Sequence, residues 1–287
     1  MDLKKQLGLD TYLWTENFCK DDLWIFDKVK EMDCEWLDIA IGNPDDMPIE
    51  GIKQKMAETG IKVVTTHTLD ASSNLVSDDP AIRKAGVERM KKVVDINYAI
   101  GSPITAGVNY AEWGYRSGKP RTQKEWDYSV ECMREIAEYA KSKGNLIIAV
   151  ECVNRFETHI LNIAADAVEY CKAVGTGNVK VHLDCFHMIR EEDSFKGAVE
   201  TCGKEYLGYV HVCESQRGIP GTGLVPWKEF FTAIKEIGYD GPMVIESFDP
   251  GFEKTNRLCS IWRSFAPTGE DLAREGLANL RRIIDEM

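Results

Sequence analysis

The sequence predicts a (β/α)8 TIM barrel, a closed ring of parallel strands with helices outside. Three observations point there. Eight short apolar runs alternate with longer amphipathic segments, the order of a βα repeat. Most of the runs are rich in β-branched residues and several are almost continuously apolar, as expected of parallel strands covered on both faces. The length of 287 residues suits a barrel, which typically takes ~250. The chain reads as a single barrel domain over 1–287, with no linker. A doubly wound open sheet is the alternative, but no G-x-G-x-x-G follows the first run and no P-loop occurs.

The runs fall at 6–14, 36–41, 61–68, 102–108, 145–151, 179–184, 207–212 and 242–247. Between them, 21–32, 81–100, 125–143 and 227–238 carry apolar residues three or four apart, the spacing of a helix that buries one stripe. Gly60, Gly144, Gly175 and Gly238 stand where helices should stop, because only glycine enters the left-handed cap without strain. The segment 270–287 reads as a closing helix. The stretches 113–121 and 249–268 read as long insertions after strands four and eight, on the barrel face where active sites lie.

Composition narrows the function classes. A net charge of −12 repels polyanions, so nucleic acid is not an expected partner. No segment reaches the ~20 apolar residues of a membrane span, and the opening MDLKKQLGLD lacks the apolar run of a secretory signal. The nine cysteines are odd in number, scattered and without a C-x-x-C pair. Reduced thiols in a cytoplasmic protein are therefore expected.

The chemistry-bearing residues are those that end strands, since these side chains face the catalytic mouth. Strand five ends in Glu151, strand six in Asp184 and strand eight in Glu246, while strand seven carries His211. Three carboxylates gathered at one height repel one another, and a divalent cation is the simplest relief. Three carboxylates and one imidazole form a hard donor set, suited to Mn²⁺, Co²⁺ or Mg²⁺. Glu157, His187 and Arg217 follow on the next loops and suit binding of a polyol or carbonyl oxygen.

Several motifs then resemble one family. E-x-x-N-R-F-E (151–157), H-L-D-x-F-H-M (182–188), H-V-x-E-x-x-R-G (211–218), P-G-x-G-x-x-P-W (220–227) and G-Y-D-G-x-x-x-x-E (238–246) are similar to the ketose 3-epimerases, which include D-tagatose and D-psicose (D-allulose) 3-epimerases. These are xylose isomerase-like barrels. The resemblance implies a metal-dependent isomerase that inverts C3 of a free ketose through an enediolate. It implies Glu151, Asp184, His211 and Glu246 as metal ligands, with Glu151 and Glu246 also moving the proton. It implies Glu157, His187 and Arg217 at the O1–O3 end of the sugar, Trp14 and Trp113 as apolar walls, and a homodimer or homotetramer.

Some residues depart from the family pattern or invite a plainer reading. Cys152, Cys185 and Cys213 stand one or two residues from a ligand position and are read as packing. His159 stands where an aromatic is more usual. His67 is read as a pocket or rim histidine, and His182 as buried near the site without being a ligand. Another sugar isomerase, an inosose isomerase or dehydratase, or a 3-keto-glycoside lyase could use the same ligands. An endonuclease IV-like enzyme needs more metal-binding histidines than five and a basic groove. A non-catalytic barrel would not need both candidate acid/base carboxylates.

Overall fold

The computed structural model describes residues 2–287. Its strands are β1 (Leu7–Asp10), β2 (Trp36–Ala40), β3 (Lys62–Thr66), β4 (Ile104–Ala106), β5 (Ile147–Glu151), β6 (Val179–Asp184), β7 (Leu207–His211) and β8 (Met243–Ile245). They close into a barrel in sequence order. Every pairing is parallel, and β1 meets β8 through Gly8 opposite Val244. The predicted closed barrel is therefore what forms.

The helices are α1 (Ile25–Glu31), α2 (Ile49–Thr59), α3 (Pro80–Ile100), α4 (Gln123–Gly144), α5 (Ala164–Val174), α6 (Cys185–Glu191), α7 (Phe195–Tyr206), α8 (Trp227–Glu236), α9 (Glu253–Cys259) and α10 (Gly269–Asp285). Their starts follow capping chemistry. Thr122 and Glu125 form a reciprocal capping box at α4, and Thr268 accepts the Asp271 N–H at α10. Gly60 and Gly175 end α2 and α5 in the left-handed region, at φ 78° and 77°. Among the described residues, no helix is long and apolar enough to cross a membrane.

One expectation needs correction. The first apolar run is strand only to Asp10. There the Asp10 carboxylate accepts the Tyr12 N–H at 2.5 Å and turns the chain into a short 3-10 helix, Thr11–Leu13. The insertion 249–268 after β8 contains the short helix α9, which the sequence reading did not identify.

The core has two shells, as strand alternation requires. Outward-facing residues such as Leu9, Ile39, Val63, Ile148, Val150 and Val210 pack on the helices. A smaller cluster of Val64, Ile104, Ala106, Ala149, Tyr209 and Val244 is built from the opposite strand faces. Those faces also carry Glu151, Asp184 and His211, each an even number of residues along its strand from a member of that cluster or from its paired partner.

On α8, Phe230 and Phe231 are fully buried beside Trp227 and Phe195. Phe230→Ala should cost about 3–5 kcal/mol, because the cavity adds to the lost transfer energy. Urea unfolding checks this, and a loss below about 1 kcal/mol would mean the helix layer repacks around the gap.

Candidate active site

Register places the polar strand ends side by side. Asp184 pairs with His211 across β6 and β7, and Glu151 pairs with His182 across β5 and β6. Glu246 stands one residue past β8. The four side chains predicted as ligands are all buried, at 8% exposure or less.

Among the described residues, the largest grouping of possible metal-ligating atoms is Asp184, His211, Cys213 and Glu246, all within 4.8 Å of one another. Glu151 is drawn in by neighbouring groupings, one with Asp184 and His187 and another with His182 and His211. Three of the four expected residues thus converge with an unexpected thiol, and Glu151 stands at their edge. The Arg217 guanidinium fills the middle. Its Nη1 lies 2.8 Å from Asp184 Oδ2 and 2.5 Å from Glu246 Oε2, and it rests on the rings of Phe186 and Phe248. The backbone of Arg217 is left-handed, at φ 64°. Hydrogen bonds from its N–H to Glu214 O and from Ser247 Oγ to its carbonyl hold it there.

His211 shows how the donors fit a cation. Its Nε2 faces Asp38 Oδ2 at 3.3 Å, and the same oxygen accepts the Tyr209 hydroxyl. In the neutral ring, Nε2 then carries the hydrogen. The buried Nδ1 has no hydrogen-bond partner, although Asp184 Oδ2 and Glu246 Oε2 lie 3.5 and 3.4 Å away. Two carboxylate oxygens facing that nitrogen call for positive charge between them, which a proton, the Arg217 guanidinium or a divalent cation can supply. A carboxylate behind the imidazole is the usual support of a metal-binding histidine. The residues present therefore fit a divalent cation.

The charges act on one another. Burial would raise the Asp184 carboxyl, but Arg217, His187 and His211 hold it well below its usual range. Burial and then the Glu246 charge push Glu151 well above its usual range. Glu246 is lowered because His211 and Arg217 outweigh burial. Burial depresses His211, yet Glu246, Asp184 and Asp38 raise it well above the ordinary histidine value.

A narrow cleft opens above these residues. Glu151, Glu157, His187, Arg217, Glu246 and Trp113 all line it. Asn154 braces two of them, donating from Nδ2 to Glu157 Oε1 at 2.8 Å and from its backbone N–H to His187 Nδ1 at 3.1 Å. His187 Nε2 in turn lies 3.3 Å from Arg217 Nη2 and 3.6 Å from Glu151 Oε1. The Trp113 indole N–H donates to Glu157 Oε2 at 2.6 Å. Trp14 is a correction, since it packs edge-on against Trp24 and does not line the cleft. Tyr12 and Phe248 supply the apolar wall on that side; the alternation broken at Asp10 hid this in the sequence.

The remaining histidines and cysteines sort themselves. His67 lines the cleft and also donates Nδ1–H to the Ile41 carbonyl at 2.7 Å. His159 meets Glu125 at 3.1 Å, at the start of α4. His182 is fully buried between Tyr209 and His211, and neither ring nitrogen has a partner. Cys152 and Cys185 pack in the apolar core as expected, whereas Cys213 does not. Glu214 of the H-V-x-E motif has a scaffold role. Its buried carboxylate accepts N–H groups from Ser215, Gly221, Val225 and the Trp227 indole, at 2.8 to 3.2 Å.

Sequence reasoning missed Asp10 and Asp38, the acids below the cluster. Their signal was present, because each is a lone carboxylate in an apolar strand. Burial, then the charges of Asp38 and Glu246, raise Asp10 well above its usual value of 3.8. A group raised on folding loses stability as pH rises from its unfolded pKa through its folded one. Asp10→Asn keeps an oxygen for the Tyr12 N–H and removes that penalty. Its melting temperature should rise above that of the unmutated chain, increasingly so above about pH 4. Parallel melting curves from pH 4 to 8 would show that Asp10 is not held neutral.

A barrel with this mouth defines a class, the enzymes that handle a small polar substrate over an acid-rich, cation-ready centre. Known proteins place it further. Residues 26–283 match the model of the xylose isomerase-like TIM barrels. An L-ribulose 3-epimerase of Methylomonas sp. is 35% identical over 86% of both chains. A D-psicose 3-epimerase of Ruminiclostridium cellulolyticum is 34% identical over 95% of this chain and 94% of its own. The crystal structure of a D-allulose 3-epimerase from Methylomonas sp. in complex with D-allulose superposes with a TM-score of 0.91 at 30% identity, covering 96% of each chain. The chain belongs to the xylose isomerase-like TIM barrels and, within them, to the ketose 3-epimerase family.

Proposed function

We propose that this protein interconverts free ketoses at C3, with sugars of the D-psicose, D-fructose, D-tagatose or L-ribulose type as substrates. The observation that carries the reading is one cleft lined by two carboxylates from different sides, Glu151 on β5 and Glu246 beyond β8, with His187 and Arg217 between them. Inversion at carbon needs a proton acceptor on one face and a donor on the other.

Glu151, Asp184, His211 and Glu246 are the proposed metal ligands, and Mn²⁺, Co²⁺ or Mg²⁺ suits their oxygen-rich set, with Mn²⁺ the first choice. The bound cation would supply Lewis-acid polarisation of the ketose oxygens. The chain's own groups do the rest. One of Glu151 and Glu246 takes the C3 proton, and the other returns a proton to the opposite face. His187 and the Arg217 guanidinium stand at the oxygen where negative charge develops, and the guanidinium donates to it. Glu157, fixed by Trp113 and Asn154, accepts from substrate hydroxyls. Trp113, Tyr12 and Phe248 exclude water. We further propose a cytoplasmic homodimer or homotetramer. Nine free cysteines support the first part. Exposed Phe156, Leu224 and Trp262, on loops after β5, β7 and β8, support the second.

In D₂O, the Mn²⁺-loaded enzyme should place deuterium at C3 of at least one of D-fructose, D-tagatose, D-psicose or L-ribulose as its epimer accumulates. Exchange at another carbon would make the protein an isomerase of a different bond, and no exchange on any of them would leave the proposal unsupported. Glu246→Gln should lower kcat by roughly 10²–10⁴-fold while sugar binding, measured by calorimetry, persists. Full turnover in that variant would remove Glu246 from proton transfer.

A further inference from the structure

We propose that Cys213 is a sulfur donor to the divalent cation of this site, an inference that rests on the metal reading above. Cys213 follows His211 by two residues and is fully buried. The other buried cysteines, Cys34, Cys152, Cys171, Cys185 and Cys202, lie in the apolar core. Cys213 lies in neither apolar cluster. Its Sγ stands 3.4 Å from Asp184 Oδ2 and 3.9 Å from Glu246 Oε2.

A cationic atom already marks where these donors converge. Arg217 Nη1 is 2.9 Å from Cys213 Sγ, 2.8 Å from Asp184 Oδ2 and 2.5 Å from Glu246 Oε2. His211 Nδ1, buried and without a partner, faces the same two oxygens. One positive charge is thus ringed by two oxygens and a sulfur, with an imidazole lone pair alongside. A cation taking that point displaces the guanidinium and inherits its neighbours. The sulfur binds as the thiolate, and its proton leaves to solvent as the bond forms.

The chemical consequence is a softer site than three carboxylates and an imidazole would make. Thiolate favours Co²⁺ and Zn²⁺ over Mg²⁺. Cys213 would therefore set which metal the protein keeps when several are present.

Cobalt reports the bond directly. The full-length protein is loaded with Co²⁺, its metal content is measured, and its absorption spectrum is compared with those of Cys213→Ala, Cys213→Ser and Cys185→Ala. A sulfur-to-cobalt charge-transfer band in the near ultraviolet is expected in the unmutated protein. It should persist in Cys185→Ala and vanish in both Cys213 variants while their d–d bands remain. Competition against Mg²⁺ should show the Co²⁺ preference falling at least roughly tenfold in Cys213→Ala, the scale set even by groups behind the ligands. Cobalt bound without the band, or a band that survives Cys213→Ala, overturns the sulfur ligand and leaves the metal reading intact. Failure of the unmutated protein to take up cobalt, manganese or magnesium overturns both.

Discussion

Like-charge repulsion at the barrel mouth is the constraint around which this molecule is arranged. Strand geometry turns Glu151, Asp184 and His211 inward, and the loop after β8 adds Glu246. Carboxylates brought together in a buried place cannot all stay ionised unaided. The structure answers with positive charge in the centre, from Arg217, and with imidazole from His211. The same demand orders the next layer down. Asp38 sits behind His211, Tyr209 bonds Asp38, and the raised Asp10 carboxyl sits close by. The cluster is thus a column of polar groups inside an apolar barrel, with its upper end open to the cleft.

That column explains how much was legible beforehand. The barrel could be read because parallel strands covered on both faces give short, nearly unbroken apolar runs. Glu151, Asp184 and Glu246 stood out because they end three apolar runs at one height, although Asp184 also caps α6 by accepting the Phe186 and His187 N–H groups. Asp38 and Asp10 obeyed the same logic, yet they occur singly in β1 and β2, away from any motif. Cys213 was hidden for another reason. A thiol is at home in a core, and only three-dimensional neighbours reveal that this one touches charge. Trp14 was misplaced because the capped turn at Asp10 breaks the alternation that would have aimed it into the cleft. The helix α9 escaped because a helix this short buries too few residues to print a period.

The binding side of the cleft follows a different principle, in which second residues fix the first. Asn154 touches both Glu157 and His187, so these groups share one orientation. Trp113 serves at once as wall and as donor to Glu157. Arg217 is held by its own left-handed backbone and by Ser247. Groups locked this way lose little freedom when a ligand arrives, and such preorganisation makes hydrogen bonds effective in catalysis.

The Glu214 carboxylate, with its four N–H partners, carries a lesson for redesign. It ties down both ends of the turn from Ser215 to Trp227, while the tip, at Thr222 and Leu224, stays exposed and packs on nothing essential. The rim of the barrel can therefore be rewritten at Thr222 without disturbing the path of the chain beneath, whereas a Cβ at Gly223 would strike the Glu214 carboxylate. Evolution, or an engineer, has there a place where sequence is cheap and shape is kept.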